Sequence, residues 1–232
     1  MDLNGWLLFD KPIGWSSFQV VKLARNVLGA KVGHCGTLDP FASGALLLAL
    51  GQATKLASKV MLMQKHYFFT VKWGTGTNTV DITGKCIRRS HVKPTTSDIR
   101  SILPAFLGNI EQSPPSFSAI QINGVRSYKY ARLGNYLRLK EKIVQVKKIM
   151  LTEHTASTTS FYLISGKGFY VRSFARDIAW RLKACCHVIK LRRQTGMMYK
   201  NKMVSIQRKD YLQIKQMYVL LLENVLPINC IS

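Results

Sequence analysis

The sequence predicts an α+β protein. Helical and strand patterns are interspersed along the 232 residues without the regular alternation of a doubly wound sheet, and no internal repeat is present. Hydrophobic residues make up 47% of the chain, enough for a packed core, which excludes a disordered or low-complexity basic chain. The length fits one large domain or one domain with a small lobe.

The first helix is signalled at both ends. Ser16 and Gln19 have capping-box spacing, apolar residues then recur at helical intervals, and Gly29 ends the pattern. The Gly- and Pro-rich residues 30–44 are expected to form a loop. Apolar, β-branched and capping patterns predict the later elements, which are a strand at 46–50, helical residues 53–63, a strand at 67–73, a loop or wide hairpin at 74–84, a helix from a cap at Ser97-Asp98 to 107, a short helix at 128–133, strands at 143–151 and 161–165, a helix at 171–182 and a strand at 187–191.

The chain is strongly cationic, with 34 Lys and Arg against 11 Asp and Glu, a formal charge of +23. Residues 1–125 carry +7 of this charge and residues 126–232 carry +16. A folded protein with such an excess fits a polyanionic partner, because Lys and Arg displace counterions from phosphate backbones. The other interpretation is an ordinary cationic surface.

The apolar segments and the cysteines argue against a membrane protein, a secreted disulfide-bonded protein and a zinc protein. No segment reaches the ~18 consecutive apolar residues of a membrane span, and the amino terminus lacks the pattern of a signal peptide. Five cysteines without CxxC spacing disfavour a disulfide framework and a zinc site. We therefore expect a cytoplasmic protein without membrane association, metal or cofactor, with reduced and partly buried thiols at Cys185-Cys186.

An aspartate inside a Gly-rich loop is the first candidate for chemistry. Asp39 lies in Gly33-His34-Cys35-Gly36-Thr37-Leu38-Asp39-Pro40, where the glycines permit close backbone approach and Pro40 biases Asp39 away from helical dihedrals. Such a loop can hold a carboxylate rigidly. The alternative interpretation, which the pattern by itself slightly favours, is a turn in which Asp39 bonds only nearby amides.

A second candidate lies at a strand-to-helix junction. Ser165-Gly166-Lys167-Gly168 precedes Tyr170 and Arg172, and an arginine there can pair with a buried carboxylate and keep it ionised. The glycines and lysine could instead form a phosphate-contacting turn. Tyr67 and Tyr170 are either core aromatics or platforms for an extruded base, and Arg192-Arg193 is either a solvated pair or a phosphate contact.

The loop around Asp39 resembles a specific family signature. Residues 33–44, continuing into Gly51-Gln52-Ala53-Thr54-Lys55, are similar to the GHxGTLDPxAxGxL…GxATK pattern of the TruB family of tRNA pseudouridine synthases. The resemblance extends from about residue 4 to 227 through further matches at Asp10-Lys11-Pro12, Lys65-His66-Tyr67, Thr77–Asp81, Pro114–Ala119, Lys167–Arg172 and Leu191–Arg193.

This resemblance implies a function and a set of roles. The family isomerises the T-loop uridine at position 55 of tRNA to pseudouridine, breaking the N1–C1′ bond and joining C1′ to C5, without a cofactor. Asp39 matches the catalytic aspartate, Arg172 the arginine that pairs with it, and Tyr67 the aromatic residue that stacks on the target base. The substrate-binding positions that the resemblance implies are His34, Lys55, Tyr170 and Leu191.

The resemblance also implies an architecture and a partner. We expect the pseudouridine synthase fold, with a mixed, largely antiparallel central sheet flanked by helices and loops, in a single catalytic domain at 1–232 without a carboxy-terminal PUA domain. The expected partner is the T arm of tRNA, bound by a monomer. Some local contacts differ from the family pattern, because Asn78, Phe117, Gln121 and Gln194 replace Asp, Tyr, Lys and Thr. A tRNA-binding folding chaperone and a structural RNA-binding protein remain as alternative functions.

Overall fold

The computed structural model describes residues 3–137, 139–194, 203–205 and 225. The chain divides into two compact units, with the residues up to His66 and from Leu191 onward in unit 1 and Tyr67–Lys190 in unit 2. Each unit is described by itself below, and the single domain at 1–232 stays a prediction. Within the described residues, no helix is long and apolar enough to cross a membrane.

Unit 1 is built around strand β3. The elements of this unit are β1 (Gly5–Lys11), α1 (Ser17–Leu28), β2 (Val32–His34), β3 (Ser43–Leu50), a 3-10 helix (Gly51–Leu56), α2 (Ala57–Val60), the end of β12 (Cys186–Gln194) and β13 (Met203–Ser205). Strand β1 runs antiparallel to β3 and parallel to β13. Strand β2 is antiparallel to the end of β3, whereas β12 pairs in parallel with its first two residues. The Gly-rich segment before β3 is therefore held at a strand end.

The ends of α1 follow from its sequence. The Ser16 hydroxyl accepts a hydrogen bond from the Gln19 N–H, and the Gln19 side chain accepts one from the Ser16 N–H, which completes the predicted capping box. Gly29 ends the helix in the left-handed conformation. Because these caps satisfy backbone groups that the helix cannot, they fix where α1 begins and thus where Ser17 lies.

Unit 2 contains an antiparallel sheet and two longer helices. Its elements are β4 (Lys65–Trp73), β5 (Thr75–Thr77), β6 (Cys86–Arg89), α3 (Thr96–Ile102), a 3-10 helix (Leu103–Phe106), β7 (Gly108–Gln112), β8 (Gln121–Ile122), β9 (Val125–Arg126), α4 (Ser127–Arg132), β10 (Lys142–His154), β11 (Thr158–Ser165), α5 (Val171–Arg181) and the beginning of β12. The strand order is β12–β4–β11–β10–β7, and β5–β6 and β8–β9 form separate hairpins.

Aromatic packing fixes α5 against this sheet. Phe174 lies on the buried face of the helix, and its ring makes edge contacts at 5.7 Å with both Phe69 of β4 and Phe161 of β11. The Phe69 and Phe161 rings are themselves stacked at 5.2 Å. All three side chains are at most 2% exposed, so the orientation of α5, and with it the position of its first turn, is set by the core.

The predicted α+β class with a mixed, largely antiparallel sheet is confirmed, and most elements occur where the sequence places them. The predicted wide hairpin at 74–84 occurs as the antiparallel pair β5–β6. Other details differ. Residues 30–44 contain β2 and the start of β3, and 53–63 form a 3-10 helix and one α-helical turn. Helix α3 is capped by Thr95, because Asp98 completes a capping box at the third helical position instead of serving as the cap itself.

Candidate active site

The loop that carries Asp39 is fixed on both sides of this residue. On one side the Leu38 N–H donates to the Ser17 hydroxyl at 2.8 Å, and the Ser17 hydroxyl lies 3.1 Å from the Leu38 carbonyl oxygen. On the other side the Gly14 N–H donates to the Pro40 carbonyl at 2.7 Å. The half-buried Asp39 therefore sits between two anchored neighbours, and its carboxylate projects from a backbone with little freedom to move.

Arg193 anchors the same loop from β12. Its Nη2 donates to the Gly36 carbonyl at 2.9 Å, its Nη1 to the Thr37 carbonyl at 3.3 Å and its Nε to the Ala45 carbonyl at 2.8 Å. The side chain is buried, so the interpretation of Arg193 as half of a solvated pair is wrong. One guanidinium therefore pairs the Gly36 and Thr37 carbonyls of the loop and the Ala45 carbonyl near the start of β3.

Glycine at position 44 permits this arrangement. Gly44 pairs with Arg193 and has a φ of +103°, and a β-carbon there would lie 2.1 Å from the Arg193 carbonyl oxygen. No side chain fits so close to a neighbouring strand. The adjacent Arg192 forms a bidentate pair with Asp10, with nitrogen–oxygen distances of 2.7 and 3.1 Å, so it too is engaged within unit 1.

A buried lysine lies beside the Asp39 loop. The Lys11 ammonium donates to the Trp15 carbonyl at 2.7 Å and the Pro12 carbonyl at 2.9 Å, with the Pro40 carbonyl at 3.5 Å. Burial lowers the pKa of Lys11 to about 8, the Asp39 carboxylate opposes this shift, and the Arg193 guanidinium adds to it. At neutral pH Lys11 is therefore protonated, and its charge attracts the Asp39 carboxylate.

This lysine predicts a measurable pH dependence of stability. Between pH 8 and the unfolded-state pKa of 10.5, the unfolded chain binds more protons at Lys11 than the folded chain does, so its contribution to the free energy of unfolding rises with pH. The contribution is roughly 1.4 kcal/mol for each unit of pKa difference. Urea unfolding of wild type and Lys11→Met at pH 7 to 10 should show the stability difference moving in favour of wild type as pH rises. A difference that stays constant would contradict the buried, shifted lysine.

Three cysteines, Cys35, Cys185 and Cys186, are buried, whereas Cys86 is exposed. Burial raises the pKa of Cys35 to about 11, with Arg193 and Lys65 opposing the shift, and burial raises the pKa of Cys186 further still. The Cys186 thiol lies 3.1 Å from the Ala175 carbonyl, and His187 Nδ1 lies 2.8 Å from the Thr75 carbonyl. In the described part of the chain, no three His, Cys, Asp or Glu side chains are grouped as metal ligands.

In unit 2, the buried Arg172 contacts three separate groups. This side chain, 3% exposed, projects from the first turn of α5. Its Nη1 donates to the Thr79 carbonyl at 3.2 Å, its Nη2 donates to the Phe117 carbonyl at 3.0 Å, and its Nε lies 3.7 Å from Asp81 Oδ2. A guanidinium can serve three separate acceptors because its donors point in fixed, divergent directions.

Asp81, the carboxylate beside Arg172, is itself held by a tight turn. Its Oδ1 accepts hydrogen bonds from the Thr79 hydroxyl at 2.8 Å and from the Thr83 N–H and hydroxyl at 2.9 and 2.6 Å. Val80, between these groups, has a φ of +60°, which is unusual for a β-branched residue. Turn 77–84 is therefore tied to α5 through one buried ion pair.

The junction before α5 is fixed by a glutamine. Gln112 at the end of β7 accepts a hydrogen bond from the Tyr170 N–H at 2.8 Å and donates to the Tyr170 carbonyl at 3.2 Å. The Ser173 hydroxyl and the Arg176 guanidinium both donate to the Ser113 carbonyl. These contacts place half-buried Tyr170 and buried Arg172 at a defined helix start without a side-chain cap.

The sequence-predicted residues fall into two sets. In unit 1, Asp39 and His34 are half-buried, Lys55 is exposed and Leu191 is buried in β12. In unit 2, Tyr67 is buried at the start of β4, and Tyr170 and Arg172 lie at the start of α5. The pairing of Arg172 with Asp39 joins residues of different units and stays a prediction, as do all the assigned roles.

Four residues, Lys11, Asp81, Gln112 and Arg193, have supporting roles that the sequence analysis did not predict, although it named Arg193 as a solvated residue or a phosphate contact. One of them left a usable signal. Arg193 is two residues from buried Leu191 on the same strand, so strand periodicity places both on one buried face. Gln112 contacts Tyr170, Asp81 lies beside Arg172 and Lys11 lies beside Pro40, and the sequence has no local pattern for such distant partners.

Comparison with known proteins identifies the family of this chain. A family model described as the N-terminal domain of TruB family pseudouridylate synthases matches residues 24–171, which include Asp39 and Tyr67. The tRNA pseudouridine synthase B of Ehrlichia ruminantium (strain Gardel) is 45% identical over 203 residues, covering 86% of this chain and 69% of that protein. The chain belongs to the TruB family.

Further similarity supports this membership and the fold. The tRNA pseudouridine synthase B of Rhodospirillum rubrum is 46% identical over 193 residues, covering 82% of this chain and 63% of that protein. A solved Cbf5–Nop10–Gar1 complex contains a chain of the same fold, with a TM-score of 0.70 at 24% identity, covering 97% of this chain and 60% of that one. This TruB family chain thus spans about two thirds of the length of its curated relatives.

Proposed function

We propose that this protein converts the uridine at position 55 in the T loop of tRNA to pseudouridine. The observation that carries the proposal is the Asp39 loop, which Ser17, Gly14 and Arg193 hold in place and whose sequence has the family pattern. Membership of the TruB family supports the reaction class, and the surplus of Lys and Arg suits an RNA substrate.

The reaction is an isomerisation in which every atom of the nucleoside is retained. The N1–C1′ bond breaks, the uracil turns, C1′ bonds to C5, and the proton lost from C5 is balanced by one gained at N1. Asp39 serves as the essential carboxylate, acting on the base, on the sugar carbon or on a sugar proton. A carboxylate on an anchored loop suits this task, because a fixed group needs no reorganisation when charge develops.

The other residues bind and orient the nucleoside. Tyr67 stacks on the target base and Tyr170 and Leu191 line the pocket, while His34 contacts the flipped nucleotides and Lys55 contacts phosphate. Extruding a base from its stack costs a few kcal/mol, which such aromatic and cationic contacts offset. We further propose the T arm as the recognised part of tRNA, a monomer as the working form and the cytoplasm as the compartment.

The test is a modification assay with the purified chain. Transcribed tRNA is incubated with the protein in the presence of a chelator and without nucleotide, and pseudouridine is mapped by carbodiimide labelling and primer extension. The expected result is a single modified position, uridine 55. Unmodified tRNA, or modification elsewhere, would refute the proposal.

A further inference from the structure

A cationic cleft in unit 2 lies at the carboxy-terminal end of α5, at the other end of this helix from Arg172. The cleft has a volume of about 330 Å³, and its charged lining residues are Lys93, Asp98, Arg181 and Lys183. The three cations are all exposed. The single acid, Asp98, already accepts hydrogen bonds from the Thr95 N–H and hydroxyl at 2.8 and 2.7 Å, so its carboxylate is committed to capping α3.

Lys183 occupies a backbone position that normally favours glycine. The Ala184 N–H donates to the Ala179 carbonyl at 2.9 Å and the Lys183 N–H to the Trp180 carbonyl at 3.0 Å, which is the Schellman ending of a helix. Lys183 itself has a φ of +51°. A left-handed lysine is strained where glycine would not be, so the helix end alone does not explain the lysine. The position of the Lys183 ammonium at the cleft gives a reason for lysine at this left-handed position.

Two further features mark the last turn of α5. The Arg181 guanidinium lies 4.9 Å from the centre of the Phe106 ring, which restrains a long side chain at the cleft wall. The neighbouring Trp180 is 78% exposed, unusual for the largest apolar side chain. An exposed indole and a restrained cation in the last turn of one helix are groups with which proteins contact the bases and phosphates of nucleic acids.

The basic surface continues onto the β5–β6 hairpin. The Gly74 N–H donates to the Cys185 carbonyl, and the Gly74 carbonyl accepts a hydrogen bond from the Ser90 N–H. Because Ser90 directly follows β6, the end of this strand lies beside the segment that follows Lys183. A β-carbon at Gly76 would lie 3.8 Å from the β-carbons of both Arg88 and Cys185. Arg88 is exposed and thus adds a further cation to this side of unit 2.

We propose that this cleft, lined by Lys93, Arg181 and Lys183, binds the sugar-phosphate backbone of tRNA at a point outside the uridine pocket. The proposal rests on the proposed function for its partner. Helix α5 has 11 residues and is therefore about 16 Å long, so the cleft lies roughly one helix length from Arg172. The cleft would hold the RNA while the first turn of α5 serves the reacting nucleoside.

The strained lysine allows a test in which unfolding cannot imitate the result. Lys183→Gly removes the charge and relieves the strain, so we expect a higher melting temperature together with tRNA affinity that is weaker by roughly three- to tenfold at 0.1 M salt. The slope of log affinity against log salt should fall by about one, as for the loss of one phosphate contact. Lys183→Asn, which also tolerates the left-handed conformation, should behave in the same way, and Lys183→Arg should retain affinity.

Binding is measured by filter retention of transcribed tRNA on the full chain, and the rate of pseudouridine formation is measured at saturating tRNA. Weaker binding in both neutral variants, with an unchanged saturated rate, supports the cleft. Unchanged affinity and salt slope in Lys183→Gly, or equal losses in Lys183→Arg, overturn it. Because binding and turnover are read separately, a wild-type protein that binds through Lys183 but makes no pseudouridine would refute only the proposed function.

Discussion

Replacing Asp39 with asparagine is expected to abolish pseudouridine formation while tRNA binding persists. Asparagine has nearly the same shape and can occupy the same loop, but it cannot carry the negative charge or accept a proton at neutral pH. Losing the essential group of a catalytic site lowers the rate by a factor of about 10⁴ or more. The rate is measured under single-turnover conditions, and tRNA affinity is measured by filter retention.

A matched variant separates this effect from a general loss of negative charge. Glu153→Gln makes the same chemical change at an exposed position on β10 and should leave both rate and affinity unchanged. Asp39→Asn should still fold, since Ser17, Gly14 and Arg193 bond to the backbone of the loop, but its melting temperature should fall slightly because buried Lys11 loses the charge that attracts it. Turnover by Asp39→Asn within tenfold of wild type would remove Asp39 from its proposed role.

Local signals in the sequence were sufficient for the two longest helices, α1 and α5. Ser16, Gln19 and Gly29 mark the ends of α1 because capping involves residues only a few positions apart, and Phe174 falls on the apolar face of α5 for the same reason. The strand in segment 30–44 was not predicted, because β2 has only three residues and pairs with the distant end of β3. A strand that short has no periodicity to detect.

The residues of the candidate site also divide into those with a local sequence signal and those whose role depends on distant contacts. Asp39 could be found because glycine, proline and aspartate lie together in one loop, and Arg172 because it follows a Gly-rich junction. Arg193 could not be assigned its role, because the Gly36 carbonyl that it serves is 157 residues away in the chain. Lys11 was equally hidden, since its depressed pKa arises from burial by the folded chain.

The ion pair between Arg172 and Asp81 changes what the sequence alone suggested for this arginine. The predicted partner was Asp39, whereas within unit 2 the guanidinium lies beside Asp81 and donates to two backbone carbonyls. Arg172 is therefore a positioning residue for turn 77–84 and for Phe117 in addition to any role beside Asp39. A substitution there has structural and catalytic consequences that must be measured separately.

Arg172→Lys is expected to lower both stability and turnover. A lysine has one nitrogen in place of three, so it cannot reach Asp81 and the carbonyls of Thr79 and Phe117 together, and at least one buried acceptor loses its partner. Breaking a buried charged network in this way costs about 3 kcal/mol, which urea unfolding would measure. We expect kcat to fall by roughly a hundredfold, because an ammonium cannot reproduce the fixed geometry of a guanidinium.

Asp81→Asn distinguishes the two roles of the arginine. The asparagine keeps an oxygen that can accept from Thr83, but it removes the charge that faces Arg172, so stability should fall as in Arg172→Lys. If Arg172 only positions turn 77–84, the two variants lose kcat in proportion to their loss of stability. If it also serves Asp39, Arg172→Lys loses far more kcat than Asp81→Asn at equal stability, with little change in KM. Wild-type kcat in Arg172→Lys would contradict both roles, since each of them requires the guanidinium.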